Sequence, residues 1–94
     1  MSGHQAFEAH EGLAAYSRAA REPPDLIITN IGLPGIDGIE LIRRLKGTPH
    51  LQHIPIITIT AGLKGQEALA AGCRVVLHKP FPVDQLLSAV ESVV

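Results

Sequence analysis

The sequence predicts an α/β fold in which parallel strands alternate with helices around one sheet. Two observations support this prediction. The aliphatic runs at 26–29, 55–60 and 74–77 lack an alternation of apolar and polar residues, as expected for strands that are buried on both faces. Between them lie segments with helical periodicity that end at glycine or proline. We therefore expect a single domain over residues 1–94.

The composition excludes several classes of protein. Aromatic residues make up 3% of the chain, too few for the stacking surface of a single-strand nucleic-acid binder. A net charge of −1 offers no basic field for a phosphate backbone, so no nucleic-acid partner is expected. The single cysteine, Cys73, rules out an internal disulfide and suits a reducing compartment. Without a signal peptide or a long apolar span, we expect a cytoplasmic protein with no membrane association.

The first part of the chain contains sequence patterns that predict one helix and one strand. Residues His4 to Ala9 alternate weakly, as in a short strand or a frayed arm. Glu11 to Arg21 is predicted to be helical, and Pro23 and Pro24 end that helix. Its predicted inward face comprises Leu13, Tyr16, Ser17 and Ala20. The strand at Leu26 to Thr29 then delivers a polar residue, Asn30, to its carboxyl end.

The middle and last parts repeat the alternation of helix and strand. A helix is predicted from Asp37 to Lys46, with Asp37 as its cap, Glu40 placed as in a capping box, and a buried stripe of Ile39, Leu41, Ile42 and Leu45. A second strand (55–60), a short helix (66–71) and a third strand (73–78) follow. The last helix begins near Pro82, and its predicted inward face comprises Leu86, Leu87, Val90, Val93 and Val94.

Four ordered motifs carry a specific resemblance. They are Pro24-Asp25-Leu26-Ile27-Ile28-Thr29-Asn30 with Leu33-Pro34-Gly35-Ile36-Asp37-Gly38-Ile39-Glu40-Leu41, the strand Pro55 to Ala61, Ala71-Gly72-Cys73, and Lys79-Pro80-Phe81. In content, order and spacing they resemble the receiver domain of bacterial two-component response regulators, including chemotaxis receivers. The resemblance covers nearly the whole chain.

The resemblance implies a flavodoxin-like fold and a signalling module rather than an enzyme. In that family a histidine kinase transfers a phosphoryl group to an aspartate at the end of the third strand, with Mg²⁺ held partly by an acidic pair on the first strand. A Thr or Ser and a Lys contact the phosphoryl oxygens. Thr60 and Lys79 are similar to that pair and are expected to be remnants of the phosphoryl pocket near Asn30. The family's Lys-Pro bond is typically cis, which implies a cis peptide before Pro80.

Three departures from the family pattern are present. Asn30 occupies the phosphoacceptor position, where an amide replaces the nucleophilic carboxylate. The family's first strand, its acidic pair and its first helix have no counterpart in this sequence. Only the Asn30 oxygen and the backbone carbonyl of Gly32 match metal-ligand positions, so no metal is expected to bind usefully, Mg²⁺ included. Val76 stands where the family has its aromatic switch residue.

These departures predict a receiver-like module that is degenerate for phosphorylation, has no output domain, and acts by protein contact with a histidine kinase or a downstream regulator. Partners are expected to dock on the last helix, the last strand and the penultimate helix. Without the family's first strand, the strand at 26–29 would present an unpaired apolar edge. Either the segment His4 to Ala9 or a second chain would fill that edge, and we expect a homodimer.

Two alternative functions remain open from the sequence. The chain could be a small flavodoxin-like ligand-binding domain or enzyme that uses a strand-end pocket formed by Asn30, Thr60 and Lys79. It could also be a non-functional fragment, or the mis-annotated start of a longer receiver. Both alternatives share the predicted fold, and the first differs from the receiver-like module in requiring a ligand in the strand-end pocket.

Overall fold

A computed structural model describes residues 5–94, so His4 of the first predicted segment lies outside the described residues. The strands are β1 (Ala6–Ala9), β2 (Leu26–Asn30), β3 (Ile56–Thr60) and β4 (Val75–His78). The helices are α1 (Gly12–Arg21), α2 (Gly38–Lys46), α3 (Gly65–Ala71) and α4 (Val83–Val93). The alternation of strand and helix predicted from the sequence is confirmed, with boundaries within about two residues.

The four strands form one parallel sheet in the order β1-β2-β3-β4. In the register, Ala6 pairs with Leu26 and Ile28 pairs with Ile57. The segment at the start of the chain, for which the sequence allows a strand or a frayed arm, therefore contains a strand, β1, which pairs directly with β2. Because β1 fills the apolar edge of β2, the physical reason for expecting a homodimer is removed.

The two faces of the sheet are covered unequally. On one face, Phe7, Ile27 and Ile56 belong to a core that includes buried residues of α1, α2 and α3. On the other face, Leu26, Ile57 and Leu77 pack against Ala89 and Val90 of α4. Three helices thus cover one face and one helix covers the other. Consequently the residues of β1 that share the α4 face, Ala6 and Glu8, are exposed.

Helix α1 buries a different face from the one predicted. Its N-cap is Glu11, whose carboxylate accepts hydrogen bonds from the backbone N–H groups of Leu13 and Ala14. The buried residues of α1 are Gly12, Ala15 and Ala19, whereas Leu13 is 48% exposed. The prediction that Leu13 and Ser17 face inward is wrong. At Gly12 the close approach is steric: a Cβ there would meet the side chain and carbonyl of Ile36, so this contact admits only glycine.

Helix α2 follows its predicted stripe closely. Ile39, Leu41, Ile42 and Leu45 are at most 3% exposed. The Asp37 side chain accepts a hydrogen bond of 2.9 Å from the Glu40 backbone N–H. The Glu40 carboxylate, in contrast, accepts from Arg44 at 3.1 Å, so the capping box forms in one direction only.

Helix α4 is less buried than its apolar sequence suggests. Val90 and Ala89 are buried, but Leu87 is 55% exposed and Val94 is 43% exposed, so the predicted inward face is wrong at these two positions. Because α4 is the only described helix on this face of the sheet, its outer apolar residues have no second helix to pack against. Among residues 5–94, no helix has the length and apolar character needed to cross a bilayer.

Candidate functional site

The carboxyl ends of β2, β3 and β4 bring three predicted site residues to one cavity. Asn30 ends β2, Thr60 ends β3, and Lys79 follows β4. Parallel strands collect their terminal side chains at one edge of the sheet, so this grouping follows from the topology. The cavity has a volume of about 300 Å³ and is lined by Asn30, Ile31, Gly32, Ile59, Thr60, Ala61 and Lys79.

The end of β2 is held in place by its junction with α2. The Thr29 hydroxyl donates a hydrogen bond of 2.9 Å to the Asn30 carbonyl. The Gly38 backbone N–H donates to the Ile31 carbonyl at 2.7 Å. A Cβ on Gly38 would meet the Asn30 carbonyl oxygen, so only glycine lets α2 begin this close to the strand. These contacts fix the backbone that carries Asn30.

The end of β3 positions both Thr60 and Lys79. The Thr60 carbonyl accepts a hydrogen bond of 2.8 Å from the Lys79 backbone N–H, which places the two residues side by side. The buried Thr60 hydroxyl accepts from the Gly62 backbone N–H at 3.0 Å, a bond that shapes the loop after β3. The peptide bond between Lys79 and Pro80 is cis, the isomer that the family resemblance implies.

Lys79 carries the only formal charge among the residues that line the cavity. No carboxylate within residues 5–94 lines it, and the remaining polar groups are the neutral Asn30 amide and Thr60 hydroxyl and the backbone. The exposed Lys79 side chain makes no hydrogen bond to Asn30 or Thr60 in the described part of the chain. The three residues therefore share a cavity without forming a bonded network.

Val76 lies away from the cavity mouth, on β4. It is half-buried and packs against the core that includes α3. A Cβ on Gly65, the first residue of α3, would lie 3.2 Å from the Val76 side chain. The aliphatic side chain of Val76, the predicted switch position, thus lies close to the start of α3.

The donor groups around the strand-end cavity are poorly suited to a metal ion. Gly32 is exposed and lines the cavity. Within residues 5–94, no three His, Cys, Asp or Glu side chains are grouped so that they could hold a metal ion. The strand-end donor set is neutral oxygen beside an ammonium, which does not fit the hard, carboxylate-seeking Mg²⁺ ion.

Sequence reasoning missed two residues that shape this site. Thr29 is buried, as the strand prediction implies, but its hydroxyl also donates a hydrogen bond to the Asn30 carbonyl. Gly38 begins α2, and its close approach to the Asn30 carbonyl positions the strand end. A glycine directly after a helix cap is a weak signal for such a contact, because it occurs equally in exposed turns.

A parallel sheet with polar side chains gathered at three strand ends defines a flavodoxin-like α/β domain with a strand-end site. Residues 1–91 match the family model for the response regulator receiver domain. The polar-differentiation response regulator DivK of Brucella ovis is 35% identical over 94 residues, which span 97% of this chain and 76% of DivK.

Solved structures agree with this match. The receiver domain of a signal transduction histidine kinase from Syntrophus aciditrophicus superimposes with a TM-score of 0.88 at 24% identity, covering 97% of this chain and 89% of that one. The receiver domain of the sensor histidine kinase PA1611 from Pseudomonas aeruginosa PAO1, solved with a magnesium ion in its active-site cleft, gives 0.85 at 23% identity, covering 97% and 98%. The chain therefore belongs to the response regulator receiver domain family of two-component signalling.

Proposed function

We propose that this chain is a degenerate receiver module of the cytoplasm, which does not accept a phosphoryl group at residue 30 and signals by protein contact. The observation that carries the proposal is the strand-end cavity. It is lined by Asn30, Thr60 and Lys79, and no carboxylate from residues 5–94 lines it. Receiver domains are signalling modules that act with histidine kinases or downstream effectors, and the proposal concerns how this member does so.

The chemistry of residue 30 argues against phosphorylation. A carboxylate can attack phosphorus because its oxygens carry negative charge. The Asn30 side chain is a neutral amide that presents one acceptor oxygen and an NH₂ donor. Its position at the end of β2 and on the cavity wall is suitable for phosphotransfer, so the side chain itself is the deficiency.

The cavity also lacks what a magnesium-assisted reaction would need. Mg²⁺ is bound in proteins through carboxylates and retained waters. Here the lining offers the neutral oxygens of Asn30 and Thr60 together with backbone groups, and the Lys79 ammonium would repel a second cation. We infer that Mg²⁺ does not bind usefully at this site.

A magnesium titration tests this inference without requiring phosphorylation. The backbone amides of Gly32 and Ala61 lie on the cavity wall and would report a bound ion by NMR. We expect no saturable shift of either amide in the wild-type chain, and only weak binding in Asn30→Asp, which adds a single carboxylate. Saturable wild-type binding at physiological Mg²⁺ concentration would refute the inference.

Exposed apolar side chains on α3 and α4 are suited to a protein partner. Leu69 of α3 is 43% exposed, and Val83 and Leu87 of α4 are 72% and 55% exposed. We propose that a kinase or downstream regulator docks on α3, β4 and α4. Leu87→Gln should weaken that complex at least tenfold while leaving the unfolding midpoint almost unchanged, because an exposed side chain contributes little to the fold.

The matched control for Leu87→Gln is Leu13→Gln. Leu13 is 48% exposed but lies on α1, on the other side of the sheet. Affinity for the partner, measured by isothermal titration calorimetry, should fall in the first variant and not in the second. Equal affinities in both variants would place the docking surface elsewhere.

A second function is favoured by the size and polarity of the same cavity. A volume of about 300 Å³ beside a lysine and two neutral polar side chains could hold a small anionic ligand. In that case phosphate, a nucleotide or a flavin would raise the unfolding temperature by several degrees, and Lys79→Met would abolish the rise. Without such a rise, the protein-contact function stands.

A further inference from the structure

One face of the sheet has room for a second helix beside α4. Among residues 5–94, α4 is the only helix on this face, and it packs against side chains of β2, β3 and β4, namely Leu26, Ile57 and Leu77. The axis of α4 therefore lies near β3, the middle of these three strands. β1 is two strands away, at a distance of about 10 Å. Packed helices lie about 8–10 Å apart, so a helix over β1 would contact α4.

The uncovered part of this face consists of β1 and the adjoining part of β2. In the register, Ala6 pairs with Leu26 and Glu8 pairs with Ile28, so all four side chains share the α4 face. Ala6 and Glu8 are exposed, and Ile28 is only half-buried although β2 lies between two other strands. An inner strand of a parallel sheet is normally buried on both faces. The sheet is thus open to solvent between α4 and β1.

The side of α4 that points towards β1 is apolar. Each residue turns an α-helix by about 100°, which places Val83, Leu87 and Val94 on one flank of the inward stripe, and Gln85 and Ser92 on the other. Right-handed crossovers fix the strand order relative to the face that carries α1, α2 and α3. A right-handed helix that runs antiparallel to the strands on the opposite face then turns its apolar flank towards β1. Val83, Leu87 and Val94 are 72%, 55% and 43% exposed.

The charges around this groove are mainly acidic. Glu8 lies on the β1 side, and Asp84 and Glu91 lie on the outer side of α4 next to Leu87. Neither β1 nor α4 contains a lysine or an arginine. His10, whose Nε2 lies 3.9 Å from the Glu8 carboxylate, is the basic group at the end of β1. Lysine or arginine beside the apolar stripe of an incoming helix would complement these carboxylates.

A second copy of α4 is a poor occupant of the groove. It would bring a second Asp84 and a second Glu91 close to the carboxylates that already border the site, and like charges facing each other across an interface are costly. An anionic membrane surface is disfavoured for the same reason. The width of the open face and the sign of its charges together favour a basic amphipathic helix.

We propose that the groove between α4 and β1 binds an amphipathic helix of a partner protein that carries lysine or arginine on both sides of its apolar stripe. The stripe covers Ala6 and Ile28 and packs against Leu87. This groove lies on the far side of α4 from α3 and β4. The inference therefore goes beyond the docking surface proposed above and shares only α4 with it.

Three helix-forming peptides of about 18 residues, long enough to be helical in water, test the proposal against the wild-type chain. The first has a leucine stripe flanked by lysine, the second replaces each lysine with glutamate, and the third scrambles the first so that no stripe remains. In NMR titrations the lysine peptide should shift the amides of Ala6, Ile28 and Leu87 and bind at least tenfold more tightly than the other two. Failure of the lysine peptide to bind, shifts that map elsewhere, or equal binding of the three peptides would overturn the proposal.

A substitution on β1 separates the groove from the net charge of the protein. Ala6→Lys places a long charged side chain on the floor of the groove and should weaken the lysine peptide at least tenfold. Ala14→Lys is the matched control, because it makes the same change at an exposed alanine of α1, on the other face of the sheet. It should change the affinity less than twofold. Equal weakening by both variants would show that net charge determines binding and would refute the groove.

The acidic border is tested by the double variant Glu8→Lys, Glu91→Lys, in which the glutamate peptide should bind more tightly than the lysine peptide. An unchanged preference would contradict the proposal. If the wild type self-associates in sedimentation experiments and Ala6→Lys abolishes the association, the groove belongs to a second copy and the proposal fails. Because none of these variants alters α3 or β4, such a failure leaves the docking surface on those elements untouched.

Discussion

The proposed loss of phosphotransfer depends on residue 30, where an amide side chain stands at the end of β2. The surrounding residues keep the geometry of a strand-end site: the Thr29 hydroxyl bonds to the Asn30 carbonyl, and Thr60 and Lys79 line the same cavity. Under the proposed function, Thr60 and Lys79 are remnants of a phosphoryl pocket around a residue whose neutral amide cannot serve as the nucleophile.

Asn30 was predictable because it ends an apolar strand, whereas Thr60 and Lys79 were assigned to the site through the resemblance to the receiver family. The sequence could not predict how their hydrogen bonds are distributed. The Thr60 hydroxyl is used by the Gly62 backbone N–H, and the choice between that bond and one to Lys79 depends on the conformation of the loop after β3. Such choices between competing donors are settled by tertiary geometry and not by residue type.

The buried thiol of Cys73 is expected to react slowly in the folded chain. Burial raises the pKa of Cys73 above its usual value, and the nearby Thr58 hydroxyl and Lys46 ammonium only partly offset this effect. The native thiol therefore stays protonated, and alkylation by iodoacetamide at pH 8 should be much slower in the folded chain than in urea. Similar rates in both states would show that Cys73 is accessible and ionised in the native protein.

The raised pKa of Cys73 also predicts that the free energy of unfolding depends on pH. Since folding raises the thiol pKa, the contribution of Cys73 is fully present below the pKa of the unfolded thiol and is lost as the pH rises through the folded value. The free energy of unfolding of the wild type, relative to Cys73→Ala, should therefore decline from neutral to alkaline pH. Because Lys46 and Cys73 influence each other's pKa, the difference between the two proteins reports the thiol together with its coupling to Lys46, whose own pKa is lowered mainly by burial.

At the scale of elements, the contact between β2 and α2 holds the site together. Gly38 begins α2, and its backbone N–H donates to the Ile31 carbonyl just beyond the strand. Ala at position 38 would force its Cβ against the Asn30 carbonyl, which is backbone and cannot move aside as a flexible side chain can. The junction is therefore intolerant of even one added methyl group.

We expect Gly38→Ala to lower the free energy of unfolding by about 1–3 kcal/mol, as overpacking does in a well-packed core. Gly32→Ala is the matched control, because a Cβ there meets nothing within 4 Å and the residue lines the same cavity. Its effect should stay within about 0.5 kcal/mol, as at most surface positions. Equal effects in urea denaturation would show that the close approach at Gly38 does not constrain the junction.

Helix faces were predictable where large side chains dominate the packing. The stripe of α2 was correct because Ile39, Ile42 and Leu45 are too large and apolar to be left exposed. The predicted face of α1 was wrong because the residues that α1 buries, Gly12, Ala15 and Ala19, carry little hydrophobic signal. At Gly12, the close approach of Ile36 leaves no room for a Cβ. Helical periodicity identifies a helix reliably, but a helix that packs by small residues hides its buried face.

At the scale of the molecule, the alternation of strands and helices along the sequence predicted the fold class. It did not predict which residues of the edge strand β1 are buried. The aliphatic strands and their helices indicated one parallel sheet, which the structure confirms. The weak alternation in β1 did not show that Phe7 and Ala9 are buried while Ala6 and Glu8 are exposed. That outcome depends on three helices covering one face of the sheet and only α4 covering the other, a property of the assembled fold.

Phosphorylation of the intact protein tests the central claim most directly. The chain is incubated with Mg²⁺ and a small-molecule phosphoryl donor, and its mass is measured beside a receiver domain that has an aspartate at the acceptor position. We predict that the wild-type mass stays unchanged while the control gains one phosphoryl group, because Asn30 has no nucleophilic carboxylate and no carboxylate from residues 5–94 lines its cavity. A wild-type adduct mapped to Asn30, or to any other residue lining that cavity, would contradict the account.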